Sequence, residues 1–406
     1  IKVFFSKTTG TAEKELVQTK KSSGPAVARD FGISQSAKTS KYIVFLDADD
    51  LYSNTFLECC YWTLETHPEA SWTYTDSVNF GTRNFLWRKW YNVEWEKQEN
   101  ILIVSACIRK KDLLEVGCFG IKEKKVYEDW YLWLKLIKAG KYPVRMNSLL
   151  TYYRQKGENS ELKESNTSNK KNALRLIDVV KRDIVNYKNG IQFPKYDYDW
   201  EEIKDENKNI LYEKNKNKKI NVLMIFPWLV TGGADRFNLN LVSKMNKNKF
   251  DFTIITTLPS KNEWRDYFEK YATVYDLTTF LDMKDWVSFI NYIIKKNNID
   301  LIFNSNSQFG YKILPYLKAE YPTIPIVDYV HMEEWYWRNG GYSRDSGMVQ
   351  NIIDKTYTCN ENSRNIFIKN FGRKPREVKT IYIGVDEKKF DPDKIKVEEK
   401  NRPHFA

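Results

Sequence analysis

The chain has 406 residues, of which 42% are hydrophobic and 15% aromatic. That is enough apolar material for two packed domains, and it excludes a wholly disordered polypeptide. Lys and Arg number 65 against 53 Asp and Glu, a net charge of +12, which suits anionic partners such as phosphorylated ligands, an acidic lipid surface or nucleic acid.

In chain order, Ile1 to Phe5 is a strand-like run. Tyr42 to Leu46 is the clearest strand of the first half, apolar and bounded by Ser40-Lys41 and Asp47. After Glu128, Trp130, Trp133, Leu134 and Ile137 recur at helical spacing, and Gly140 fits a C-terminal cap. A second helix is expected from Lys170 to Tyr187, with Leu174, Ile177, Val180 and Ile184 on one face. These elements define a first domain over residues 1–187. Residues 188–219 are polar, lose periodicity and close on Lys214, Lys216, Lys218 and Lys219, which reads as a linker.

From 220 to 397 strands and helices alternate. Strands are expected at Ile220–Phe226, Phe252–Thr257, Val274–Leu277, Leu301–Asn304, Ile324–His331, Lys355–Cys359 and Val378–Ile383. Helices are expected at Ala234–Met245 and Asn262–Tyr271. Near-continuous apolar strands alternating with helices predict a parallel, doubly wound α/β sheet.

The cysteines Cys59, Cys60, Cys107, Cys118 and Cys359 form no C-x-x-C pair, and the histidines are His67, His331 and His404. A structural zinc site and a disulfide scaffold are therefore not expected, and a reducing, cytoplasmic compartment is. The most apolar stretch, Ile220 to Val230, contains Asn221 and Pro227 and has about half the length that spans a bilayer. No signal peptide is visible, and both chain ends read as cut.

The segment richest in chemistry is Asp47-Ala48-Asp49-Asp50, directly after the first clear strand. Ligands of open α/β sheets bind beyond the carboxyl ends of strands. Residues i and i+2 of an extended segment point the same way, so Asp47 and Asp49 are expected to face one site. Two such carboxylates are hard ligands for Mg²⁺ or Mn²⁺, and a divalent ion there can stabilise a diphosphate leaving group. The same residues also suit a solvated turn that caps a helix. Glu128 and Asp129 stand at a helix start, where two carboxylates either share a raised pKa useful to a base or simply compensate the helix dipole.

Around these residues lie Gly24-Pro-Ala-Val-Ala-Arg-Asp-Phe-Gly32, Ser105 to Arg109, Val116 to Phe119 and Tyr127-Glu-Asp-Trp130. In order and rough spacing, Ile1 to about Ser160 resembles glycosyltransferase family 2, inverting enzymes with the GT-A nucleotide-diphospho-sugar transferase fold. The resemblance implies that Asp47 and Asp49 hold the metal and diphosphate, with Asp49 the more direct ligand. It implies that Arg29 lies near the nucleotide and that Asp129, beside Glu128, takes the proton of the acceptor hydroxyl. This sequence departs from the family in three places. The usual first strand is expected before Ile1, and Ser6 to Thr11 occupies the place of an acidic D-D-G-S motif without its aspartates. Tyr153-Arg154 is followed by Gln155-Lys156, where a histidine is common.

In the second half, Pro227-Trp-Leu-Val-Thr-Gly-Gly-Ala-Asp-Arg236 joins a strand to a helix. Paired glycines there let a ligand approach the backbone at a helix N-terminus, or make an ordinary tight turn. Gly232 to Phe237 resembles the G-G-A-E-R loop of glycosyltransferase family 4, a family with the two-domain GT-B fold. Ile381 to Asp386, with Phe390 and Pro392, resembles the end of that family's first domain. The resemblance covers Ile220 to Pro392, the N-terminal Rossmann-like half of a GT-B enzyme. It implies that Gly232, Gly233 and His331 are acceptor-side or phosphate-contact positions. Trp335-Tyr336-Trp337 suits either a sugar platform or packing.

The expectation is a glycosyltransferase that moves a sugar from a nucleotide-diphospho-sugar to an acceptor hydroxyl with inversion, using Mg²⁺ or Mn²⁺. The expected acceptor is a glycan or lipid-linked glycan in surface polysaccharide or glycolipid assembly. The positive charge suits peripheral contact with an anionic membrane. The alternative is a non-catalytic glycan-binding or assembly scaffold. Nucleic acid is not expected as a partner, because the basic residues are scattered among acids. Substrate choice is expected in Thr82 to Asn100, with Trp87, Trp90 and Trp95.

Overall fold

The computed structural model describes residues 3–6, 12–15, 24–87, 91–122, 126–155, 170–192, 219–334 and 340–385. The chain divides into two compact units, Ile1–Leu211 with Tyr275–Ile293, and Tyr212–Val274 with Ile294–Ala406.

The first unit opens with β1 (Val3–Ser6) and β2 (Ala12–Glu15), an antiparallel pair. There follow α1 (Pro25–Gln35), β3 (Tyr42–Val44), β4 (Leu51–Tyr52), α2 (Phe56–Thr66), β5 (Trp72–Gly81) and β6 (Phe85–Trp87). Then come α3 (Val93–Glu96), β7 (Cys107–Arg109), α4 (Lys110–Glu115), α5 (Glu128–Lys138), β8 (Pro143–Gln155), α6 (Lys170–Arg182) and β9 (Ile191–Gln192). The sheet runs β3-β7-β5-β8-β4, with β6 on β5 and β9 on β8. It is mixed: β5 and β8 pair in parallel, while β7 is antiparallel to both β3 and β5.

Helix α5 carries the packing. Trp133, Leu134 and Ile137 are fully buried and Trp130 nearly so, as their spacing predicts. Trp133 stacks on Trp72 of β5 with ring centroids 5.5 Å apart. The helix stops at Gly140, whose φ of +72° suits glycine, and Lys141 N donates back to Leu136 O at 3.0 Å. Ile177 and Val180 of α6 and Ile184 just after it join the same core. The helix ends at Arg182, short of the Tyr187 expected.

Strand β3 ends at Val44, two residues before the expected Leu46, because the chain turns there. The carbonyl of Phe45 accepts from the Tyr52 hydroxyl instead of a strand neighbour.

The second sheet comprises β10 (Ile220–Phe226), β11 (Phe250–Thr256), β12 (Thr273–Asp276), β13 (Leu301–Ser305), β14 (Ile326–Val330), β15 (Lys355–Thr358) and β16 (Val378–Thr380). The helices between them are α7 (Gly233–Lys244), α8 (Arg265–Phe268), α9 (Trp286–Lys296), α10 (Gln308–Glu320), α11 (Gly341–Met348) and α12 (Glu361–Asn370). The order β12-β11-β10-β13-β14-β15-β16 places the first strand of the unit centrally and reverses direction between β10 and β13. That is the doubly wound arrangement, with its ligand crevice beyond the carboxyl ends of those two strands. The pairs from β11 through β10 and on to β16 are parallel.

The expected helix Asn262–Tyr271 shrinks to Arg265–Phe268. Asn262 sits at φ +45° and its side-chain oxygen accepts from Leu229 N at 2.8 Å, so it clasps a loop rather than starting a helix. Gly310 has a packing reason: a Cβ there would lie 2.0 Å from Oδ1 of Asn304, which is fully buried.

Candidate functional site

In the first unit the acidic run is not extended. Asp50 N donates to Asp47 O at 3.1 Å, and Ala48 and Asp49 occupy the turn between them. The alternation expected to align Asp47 with Asp49 is thus replaced by a turn that projects both from one short loop. The end of β8 braces this turn. Arg154 N donates to Asp50 Oδ1 at 2.8 Å, and Arg154 Nε donates to Asp49 O at 3.0 Å. Asp50 is a buried strut, a role its place in the acidic run did not disclose.

Arg29, on α1, lies between two carboxylates. Its Nη2 donates to Asp47 Oδ1 and its Nη1 to Glu128 Oε1, both at 2.8 Å. Burial works against the charge, but Asp47, Glu128 and Asp129 outweigh it and hold the guanidinium firmly protonated. Arg29 therefore joins the acidic turn to the start of α5. Phe119 packs beneath the guanidinium, 5.6 Å from ring centroid to Cζ. The loop carrying Phe119 is clamped from both helices. Asp30 accepts from Phe119 N at 2.8 Å and from Gly120 N at 2.9 Å, and Lys135 Nζ donates to Cys118 O at 2.8 Å.

Glu128 and Asp129 are adjacent at the start of α5. Burial first, then the charge of Asp129, pushes Glu128 up to about 7, with Arg29 opposing. Burial also raises Asp129, against a hydrogen bond from Trp130 N at 2.8 Å, the charge of Arg29 and a hydrogen bond from the Asn100 side chain. The helix-start contact and the raised pKa thus coexist. Two adjacent carboxyls, both pushed up by burial, form the kind of group that can accept a proton from a hydroxyl. Asn100 is a partner of Asp129 that no motif signalled.

Asp47 and Asp49 fit a divalent ion of the Mg²⁺ type. They offer hard oxygen donors from one turn, and the Asp47 side chain is 41% exposed despite its contact with Arg29. Among the described residues no group of three or more His, Cys, Asp and Glu closes into a cage. The donor set matches ions held by one or two carboxylates with the remaining ligands from phosphate and water.

In the second unit, after β10, Gly232 caps α7 and Gly233 is its first residue, at the crevice the sheet order creates. Gly232 has an extended φ of −166°, and a Cβ on Gly233 would meet nothing within 4 Å. Backbone conformation does not demand the glycines; the space beside Gly233 at the helix N-terminus is open, while a Cβ on Gly232 would lie 3.1 Å from Asp235 Oδ2. Asp235, in the first turn, accepts from Val230 N at 3.3 Å and is pushed up to about 6, chiefly by burial. His331 follows β14, its Nε2 is 3.1 Å from Ser305 Oγ, and burial pushes it down to about 4, so it is neutral at pH 7. Asn238 Nδ2 reaches the same Ser305 hydroxyl at 3.3 Å. The ring of His331 lies against Tyr329 and Phe237.

Lys156, Trp90, the Trp335–Trp337 cluster, Lys214, Lys216, Lys218, Asp386, Phe390 and Pro392 lie outside the described residues. Trp95 is exposed on α3. No helix among the described residues is long and apolar enough to cross a membrane.

Residues 13–129 match the family model for glycosyl transferase family 2, and residues 231–389 match that for Glycosyltransferase Family 4. Similar solved structures include Anabaena Alr3699/HepE in complex with UDP and glucose, at 15% identity and a TM-score of 0.32, over 42% of this chain and 46% of that one. A glycosyltransferase from Rickettsia africae ESF-5 shows 17% identity and a TM-score of 0.34, over 45% and 47%. Acinetobacter baumannii MurG shows 14% identity and a TM-score of 0.29, over 43% and 47%. The chain spans less than half the length of each of these structures. Comparison with curated proteins gave no match.

Proposed function

We propose, for a chain that joins a glycosyltransferase family 2 segment to a family 4 segment, that the first unit is a sugar transferase. It uses a nucleotide-diphospho-sugar and inverts the anomeric centre. The observation that supports this most is the bridge Asp47–Arg29–Glu128, which joins the acidic turn to the coupled Glu128–Asp129 pair.

Inverting transfer is one in-line displacement, with the leaving diphosphate on one side of the sugar and the attacking hydroxyl on the other. The turn Asp47–Asp50 supplies the leaving-group side. Asp47 and Asp49 would hold Mg²⁺ or Mn²⁺, which when bound would offset the charge of the diphosphate. Asp129 takes the acceptor proton. Glu128 shares the buried helix start with Asp129, and Arg29 offsets the charge of the two carboxylates. The clamped Phe119 loop holds Arg29 in register with both. Within the second unit by itself, Gly232, Gly233 and His331 would form an acceptor-side or phosphate crevice. A glycan or lipid-linked glycan is the acceptor class, and surface polysaccharide or glycolipid assembly the setting.

One observation favours the scaffold reading: Arg29 already occupies Asp47 Oδ1. Release of nucleoside diphosphate from a sugar nucleotide, measured with and without Mn²⁺, separates the two. Metal-dependent release that Asp49→Ala abolishes supports the transferase; no release from any common donor supports the scaffold.

A further inference from the structure

Three buried polar side chains meet in the second unit at the carboxyl ends of neighbouring parallel strands. Ser305 is the last residue of β13 and pairs with Tyr329 of β14. His331 directly follows Val330, the last residue of β14, and Asn238 lies in the first half of α7. Ser305 is 1% exposed, Asn238 4% and His331 9%. The Ser305 hydroxyl links the other two, 3.3 Å from Asn238 Nδ2 and 3.1 Å from His331 Nε2. Tyr329 and Phe237 hold the imidazole in place, with ring centroids 4.5 Å and 5.4 Å from its own.

The direction of each hydrogen bond follows from the groups themselves. An amide nitrogen only donates, so Ser305 Oγ accepts from Asn238. Among the described residues the Ser305 hydroxyl has one other partner, His331, so its own hydrogen goes to Nε2. A neutral imidazole that accepts at Nε2 carries its hydrogen on Nδ1. Two atoms are then left over. His331 Nδ1, a donor, and Asn238 Oδ1, an acceptor, are buried and have no hydrogen-bond partner among the described residues. Buried polar atoms are costly to leave unpaired, and this pair flanking one serine calls for groups that both accept and donate. Hydroxyls do both, and neighbouring hydroxyls of one sugar ring can serve the two atoms. An ionised phosphate oxygen only accepts, and it would face Asn238 Oδ1 unfavourably.

We propose that Asn238 and Ser305 fix His331 as an Nδ1–H donor and that the three form a subsite for hydroxyls of a neutral sugar, not for phosphate. This rests on the reading of the second unit as an acceptor-side or phosphate crevice and chooses between its two ligands. Asn238 acts partly as a positioning residue, through the tautomer it imposes.

The test is imidazole nitrogen NMR on the full chain labelled at histidine. The sequence has three histidines, and loss of a signal in His331→Gln assigns the one required. Wild type is expected to show the Nδ1–H tautomer, and a wild-type Nε2–H tautomer overturns the proposal. The probes are methyl glycosides of glucose, galactose, mannose and N-acetylglucosamine, and inorganic phosphate. At least one glycoside is expected to shift His331 Nδ1 in a saturable way, with phosphate leaving it unmoved. In Asn238→Asp the carboxylate accepts from Ser305, so the proton should move to Nε2 and glycoside binding should weaken about three- to tenfold, the size of one lost neutral hydrogen bond. An unchanged tautomer and affinity in that variant would overturn the role of Asn238. The wild-type measurements decide the matter even if the variant fails to fold. A shift with phosphate and none with any glycoside would leave the crevice standing and overturn the proposal. A shift with neither would overturn the crevice reading, and the proposal with it.

Discussion

In the proposed transferase, Asp129 is the residue on which the chemistry would turn. Asp129→Asn keeps the shape and the contact with Trp130 N but cannot take a proton. It should lower kcat about 10²- to 10⁴-fold, the usual contribution of a general base, with donor KM nearly unchanged. If KM rises in step, Asp129 is structural. Glu128 sets the pH dependence. Its folded-state pKa is about 7, whereas an unperturbed glutamate titrates near 4.3, so the folded chain binds this proton more tightly than the unfolded one. Its stabilising contribution is complete below about pH 4 and declines until about pH 7. Glu128→Gln should flatten that decline in melts between pH 4 and 8 and move the acid limb of the rate profile downward. That Arg29, Asp47 and Glu128 come together, with Asp129 adjacent, accords with motifs whose order and spacing the sequence carries. The contacts of Asn100 with Asp129 and of Asp50 with Arg154 were not legible, since each partner is distant in the chain.

At the scale of elements, the site depends on α1 and α5 keeping register through the Phe119 loop, with Asp30 and Lys135 as the clamps. The helix and strand pattern was readable wherever apolar spacing was long, as in α5 and β10. It misled where polar side chains substitute for backbone bonds. Asn262 clasps a loop and shortens a helix, and the Tyr52 hydroxyl takes the carbonyl that a longer β3 would have used. In the second sheet, Gly310→Ala tests packing alone. The added methyl meets the buried Asn304 amide, so a loss of about 1–3 kcal/mol in denaturant unfolding is expected. An unchanged midpoint would show that Asn304 can move aside.

For the whole molecule, the +12 charge first suggested anionic partners in general. In the proposed transferase that expectation narrows to diphosphates: Arg29 is already engaged by Asp47 and Glu128, so a divalent ion at Asp47 and Asp49 would offset the charge of the ligand. The order of strands was not readable from the sequence, since periodicity locates strands without ordering them. The doubly wound order of the second unit places Gly232, Gly233 and His331 at the carboxyl edge of one sheet, which no local motif could establish. Transferase activity is tested most directly by nucleoside diphosphate release by the full chain from a panel of sugar nucleotides with Mn²⁺ and a glycan acceptor. The expected result is release that chelation stops, that Asp49→Ala abolishes and that Asp129→Asn slows at least about a hundredfold while donor still binds. Release that persists undiminished in both variants would contradict it.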